Sequence, residues 1–241
     1  MSTEVLPLAL AVVAFLYGAV GHAGATGYIA VFALAGLSPD LIRPSALMLN
    51  VVVASFGTWQ FCRAGHLQWQ QFWPLLPIAV PAAFFGGWLD VPTRGLRILL
   101  GLVLLAAAVR FLLRPRDPEE LQPPGRWTLL ATGSGLGLMA GLTGTGGGVF
   151  LSPWMLLRRW CCTRQAAAVS VVFILMNSIA GLAGFARSAQ PLPPLPWSWV
   201  LAVLVAGGLG AYAGSHRWAV PTIRRLLALV TGFAGSKLLL G

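Results

Sequence analysis

Long apolar runs separated by short charged stretches set the pattern of this chain. Val5–Leu37, Pro44–Cys62, Gln71–Leu89, Trp127–Leu157, Gln165–Ala186 and Ser198–Ser215 contain no Asp, Glu, Lys or Arg. A bilayer span requires about 20 apolar residues, so the pattern predicts an all-α integral membrane protein that crosses the bilayer several times. Val5–Leu37 is 33 residues long, which as one helix would measure about 50 Å at roughly 1.5 Å per residue. That is too long for one span and suits two short arms meeting at its centre, a re-entrant hairpin. Trp127–Leu157 reads the same way.

The two halves of the chain resemble each other. GAVGHAGATG (Gly18–Gly27) answers to GLTGTGGGVF (Gly141–Phe150), and Ser45–Gly57 answers to Ser170–Gly184, with Asn50 over Asn177. Trp69 falls over Trp197, Gly86 over Gly214, and VPTRGLR (Val91–Arg97) over VPTIRR (Val220–Arg225). Matches in one order at a near-constant spacing predict an internal duplication. The expected organisation is a first membrane repeat over 1–113, a charged and Pro-rich solvated linker over 114–126, and a second repeat over 127–241. Each repeat would be a re-entrant Gly-rich helical hairpin plus three transmembrane helices, and the odd number of crossings inverts the second. The apolar N-terminus has a partner inside the chain and lacks a positive flank, so it reads as part of the fold and not as a cleaved signal.

Charge adds an orientation. With hairpins, eleven of the sixteen Lys and Arg fall on the linker's side, against nine if each long run crossed once. Cytoplasmic loops carry the excess of positive charge, so the linker is expected inside a bacterial-type inner membrane and both termini outside. Charged residues make up only 9% of the chain, well below the roughly 25% of a soluble domain. The net charge of +10 therefore sits at span ends and is no nucleic-acid signal. None of the six acids lies mid-span, which disfavours a carboxylate proton relay. Cys62, Cys161 and Cys162 are expected as reduced thiols, and no metal-ligand or cofactor spacing is present, nor the convergent groups of an enzyme.

The stretch GLTGTGGGVFLSP (Gly141–Pro153) carries the chemistry. Glycine costs a helix interior roughly 0.5–1 kcal/mol relative to alanine, and it leaves backbone N–H groups bare. A helix starting near Val149 would aim its N-terminus at Thr143–Gly148, and such ends bind anions. Thr143, Thr145, Gly146, Gly147 and Gly148 are thus candidate substrate ligands. Gly133, Gly137 and Gly141, spaced by four, read as a close-packing face.

GLTGTGGGVFLSP, its first-half copy GAVGHAGATGYIAVFALAGLSP and the following PSALMLN resemble the TauE/SafE-type sulfite and organosulfonate exporters over nearly the whole chain. The resemblance implies a transporter of small sulfur-containing anions, such as sulfite or sulfonates, with membrane lipid as its other partner; a homo-oligomer is compatible with it. The first copy departs from the family pattern, with His22, Ala23, Gly24, Ala25, Thr26 and Gly27 where a glycine run is expected.

Other residues carry two readings each. His22 could pair with an oxyanion or carry protons, or be a neutral imidazole bonded to a carbonyl. Asn50 and Asn177 could brace the broken backbone or touch substrate, and Gly24 and Thr26 join them as candidates in the first copy. Ser45, Ser170 and Ser178 could help, although a helix hydroxyl usually bonds to its own preceding turn. Arg97, Arg110, Arg225 and Lys237 could form an electrostatic path for anions or, lying near helix ends, snorkel to headgroups. Trp59, Trp69, Trp73, Trp127, Trp160, Trp197 and Trp218 read as an aromatic belt.

Overall fold

The computed structural model describes residues 5–89, 94–113, 117–187 and 192–240. Among them every regular element is helical. The first half runs α1 (Val5–Ala19), α2 (Ala25–Leu34), α3 (Pro39–Arg63), α4 (Trp69–Phe72), α5 (Leu76–Trp88) and α6 (Arg94–Leu113). The second runs α7 (Arg126–Thr143), α8 (Gly148–Leu157), α9 (Thr163–Arg187), α10 (Trp197–Tyr212) and α11 (Val220–Leu240). Helices of 15, 10 and 25 residues open the first half, and helices of 18, 10 and 25 open the second.

Among the described residues, three helical stretches are long and apolar enough to cross a membrane: Asp40–Arg63, Thr163–Arg187 and Trp197–Arg217. Shorter apolar helices accompany them, including α1, α2 and α8. Large apolar side chains such as Leu8, Leu34, Phe85, Leu138, Val205 and Phe233 are exposed. A surface of that kind suits lipid rather than water.

The run Gln71–Leu89 does not form the single helix its composition suggests. Trp73–Leu75 makes a 3-10 turn between α4 and α5. Pro74 lies inside that turn, and proline removes an N–H and clashes with the preceding helical turn. The matching tryptophans Trp69 and Trp197 are the first residues of α4 and α10. Val91–Thr93, and the side chains of Arg94 and Arg97, lie outside the described residues, as do Glu4, Asp90, Arg114 and Arg116.

Helix ends follow from glycine. Gly65 closes α3 at φ +72°, with its N–H bonded to Cys62 O and the His66 N–H to Phe61 O. Gly36 ends α2 in the same way at φ +78°. The corresponding turn after α8 is made by Arg159 at φ +58°, a conformation that disfavours side chains.

Packing brings equivalent helices together. Leu47 lies by Gly181, Asn50 bonds to Ser178, and Gly57 faces Val171. These contacts run in opposite order along the two helices, so α3 and α9 are antiparallel. On α6 and α11, Gly101 meets Leu239 and Ala108 meets Gly232, again antiparallel. The predicted small-residue face is observed between α7 and α5. A methyl added at Gly133, Gly137 or Gly141 would overlap the carbonyl oxygen of Leu75, Ala79 or Ala83 respectively.

Most of the described linker is exposed, but two of its residues bond to the second half. Asp117 Oδ1 accepts from Thr163 N at 2.9 Å and from the Thr163 hydroxyl, and it pairs with Arg224 Nη2 at 3.2 Å. Arg224 is buried and its Nε also donates to Thr163 Oγ1, at 2.8 Å. Gln122 N donates to Arg159 O at 2.8 Å. Arg225 and Arg110 are exposed, as expected of snorkelling residues. Trp59, Trp69, Trp73, Trp127 and Trp197 are exposed as a belt requires, but Trp160 is buried in the core.

The glycine face gives a paired test by thermal unfolding in detergent. Gly137→Ala should destabilise by about 1–3 kcal/mol, the usual cost of overpacking. Gly135→Ala, where nothing lies within 4 Å of the added methyl, should be neutral or stabilise by up to about 1 kcal/mol.

Candidate functional site

Two helix breaks define the site. After α1, the Gly21 N–H bonds to Gly18 O at 3.0 Å and the His22 N–H to Tyr17 O at 2.8 Å. With Gly21 at φ +74°, this is a Schellman C-cap. Gly24, at φ +107°, then starts α2 without a side-chain cap. The second break uses the simpler left-handed cap: Gly144, at φ +70°, bonds its N–H to Ala140 O at 3.0 Å. Gly146 and Gly147 follow at φ +72° and +81°, and α8 starts at Gly148, again without a side-chain cap. Its N-terminus thus lies where the glycine run places it.

Asn50 joins the breaks. From the middle of α3 its Oδ1 accepts from Ala25 N at 2.9 Å, at the buried and otherwise uncapped start of α2. Its Nδ2 reaches Thr145 O at 3.4 Å in the second break and Ser178 Oγ at 3.4 Å on α9. Asn50 itself is fully buried. A Cβ at Gly146 would come within 2.9 Å of both Asn50 Nδ2 and Ser178 Oγ, so this contact requires glycine. The Asn50 amide therefore bonds to backbone at both breaks.

Asn177, its partner in the pattern, differs. It is buried on α9, and neither amide atom has a hydrogen-bond partner among the described residues. His22 is also buried, and its ring lies against the Gly148 backbone at the start of α8. Neither ring nitrogen reaches a partner in bonding geometry. The first break therefore touches the second through His22 and through Asn50. Gly21 packs on Ala167 of α9 as well.

The threonines are engaged internally. Thr143 Oγ1 donates to Met139 O at 2.7 Å, so its contact with Thr145 Oγ1 at 2.8 Å is one in which Thr145 donates. Both hydroxyl protons are thus taken in this conformation. Gly147 and Gly148 pack on Phe173 and Ile174 of α9. Thr26 is buried in the first turn of α2. Ser170 accepts from Ser152 at 2.6 Å and Ser178 from Asn50, so these hydroxyls bond across elements.

Several residues at the site are missed by sequence reasoning. Arg43 reads as one of the outer charges, yet its Nη2 donates to Gly86 O at 2.8 Å, Gly87 O at 3.0 Å and Gly141 O. A cation suits the carbonyl ends of α5 and α7, and the Arg43 stem lies against Gly144. Tyr17 and Tyr28 are also buried at the first break, and neither hydroxyl has a partner among the described residues. Among the described residues no group of His, Cys, Asp and Glu is arranged to hold a metal.

The model of the family described as sulfite exporter TauE/SafE matches residues 6–238. The chain belongs to that family. It is also 40% identical to the probable membrane transporter protein y4hK of Sinorhizobium fredii, over 99% of this chain and all of that one. No solved structure matches it. The chain is accordingly a multi-pass membrane protein of a transporter family.

The two asparagines separate by stability. Asn50→Leu leaves the Ala25 N–H and the Thr145 carbonyl without their partner and should cost about 1–3 kcal/mol. Asn177→Leu removes an amide that bonds nothing in this conformation and should cost less than half as much. Thermal unfolding of the two variants in one detergent checks the difference.

Proposed function

We propose that the protein carries small sulfur-containing anions, such as sulfite, sulfoacetate or related sulfonates, out of the cytoplasm. The observation that carries the reading is the meeting of two broken helices at Asn50, deep in the core. Broken helices at membrane depth occur only where protein or a water-filled cavity surrounds them, and they are how many secondary transporters build a substrate site. Gly146, Gly147, Gly148, Thr143 and Thr145 supply backbone and hydroxyl donors on one side. His22, Gly24, Thr26, Asn50 and Asn177 supply the other. The internal bonds of the two threonines would be exchanged for substrate.

In this reading each half is a re-entrant hairpin followed by its spans, and the halves are inverted. The antiparallel course of α3 against α9, and of α6 against α11, supports that relation. Access alternates as one part rocks against the other. The linker and the surrounding arginines face the cytoplasm and both termini lie outside, in a bacterial-type inner membrane. A negative interior then favours anion exit by about 2.3 kcal/mol per charge per 100 mV.

A channel using the same breaks is the alternative, and one experiment separates them. Proteoliposomes loaded with unlabelled sulfite, sulfoacetate or taurine are given a labelled trace of each outside. Transient accumulation of label above its external level is the expected outcome and identifies a carrier. Equilibration without overshoot would instead indicate a channel, and no flux of any anion would remove the substrate assignment. Thr145→Val, which deletes a donor while keeping the side-chain volume, should reduce the counterflow rate severalfold.

A further inference from the structure

We infer that Tyr17, His22 and Tyr28 form an oxyanion-binding surface at the first helix break, with the two phenol hydroxyls as substrate ligands. The inference rests on the transport reading above and assigns its main donors to the first break instead of the glycine run. Tyr17, His22 and Tyr28 are 4%, 2% and 0% exposed. Neither phenol hydroxyl has a hydrogen-bond partner among the described residues, and the His22 ring meets only the Gly148 backbone, outside bonding geometry. Buried polar side chains are nearly always bonded, and phenylalanine would fill the space of either tyrosine without a polar group to satisfy. Three such groups at one break therefore point to a ligand that completes them.

Their placement supports one surface. The Tyr17 and His22 rings are 6.4 Å apart between centroids. Tyr28 lies over the Gly24 backbone, where a Cβ would stand 2.7 Å from Cζ and 2.9 Å from the hydroxyl oxygen. Gly27 similarly lies 3.3 Å from a Tyr17 ring carbon by the same measure. Gly24 and Gly27, the glycines kept in the first copy, thus leave room for the two rings.

The chemistry selects the ligand class. Two phenol O–H groups and one imidazole N–H give three donors, and hydrogen bonds from such donors to an anion are short and strong. A sulfonate or sulfite offers three oxygens on one atom; a carboxylate offers two. A cation would need acidic partners, and the acids among the described residues are Asp40, in the first turn of α3, and Asp117, Glu119 and Glu120 of the linker. None of these belongs to the break.

The test uses purified full-length protein, thermal unfolding and the counterflow assay, with methanesulfonate, sulfite and acetate as probes. Wild type should be stabilised by methanesulfonate and sulfite at lower concentrations than by acetate. Tyr17→Phe and Tyr28→Phe should unfold no earlier than wild type without anion, because each removes an unbonded buried hydroxyl. Each should also raise the half-saturating methanesulfonate concentration about tenfold, one hydrogen bond's worth. Unchanged half-saturation in both variants overturns the inference, as does earlier anion-free unfolding with unchanged half-saturation, which would make the hydroxyls structural. Equal response to acetate overturns the three-oxygen match. A wild type that neither binds nor moves any probe overturns the transport reading, whereas normal wild-type transport with unaltered variants overturns this inference alone.

Discussion

A helix can stop inside an apolar core only if something else takes up the backbone bonds it abandons. An unpaired buried peptide group costs as much as a lost hydrogen bond, and often more. In this protein the amide of Asn50 meets that demand for two helices at once, accepting from the start of α2 and donating to the loop before α8. The position of α3 against α9, the glycine at 146 and the proximity of the two breaks are all consequences of that reach. The glycine caps at 21 and 144 turn the chain, but they would only expose more backbone without the amide between them.

The two breaks are built from similar parts and used differently. Asn50 is fully engaged while Asn177 is not. Two residues before the matched Ser45 and Ser170 the chain has Arg43 in one half and Ala168 in the other, and only the arginine gathers the carbonyl ends of α5 and α7. Hydroxyl donors at the second break bond one another, whereas the phenols and imidazole at the first bond nothing within the described residues. The two breaks thus present unequal sides to the core between them.

Much of this was legible from the amino acids. The uncharged runs specify apolar helices, the four-residue spacing of Gly133, Gly137 and Gly141 marks a tight helix contact, and the glycine run locates the start of α8 to within one residue of Val149. These features are local or periodic, so they appear in the order of residues. What was not legible depends on folding. Arg43 reaches groups 43 to 98 residues away, so at sequence level it is only a charge at a span end. Tyr17 and Tyr28 look like ordinary apolar filling until burial shows their hydroxyls stranded. The prolines of Trp73–Leu75 and beyond could have warned that Gln71–Leu89 would not run as one helix; its lack of charge concealed that.

Asp117 has a mechanical consequence. Among the described residues its bonds are to the second half, at Thr163 and Arg224, while α6 of the first half ends at Leu113. Four peptide units connect those points, and a fully extended chain covers at most about 3.6 Å per residue. With the carboxylate held, the end of α6 can stray no more than about 14 Å from the anchored linker. The connection between the halves is thus a short leash, and it caps the stroke of any rocking motion at that end of the molecule.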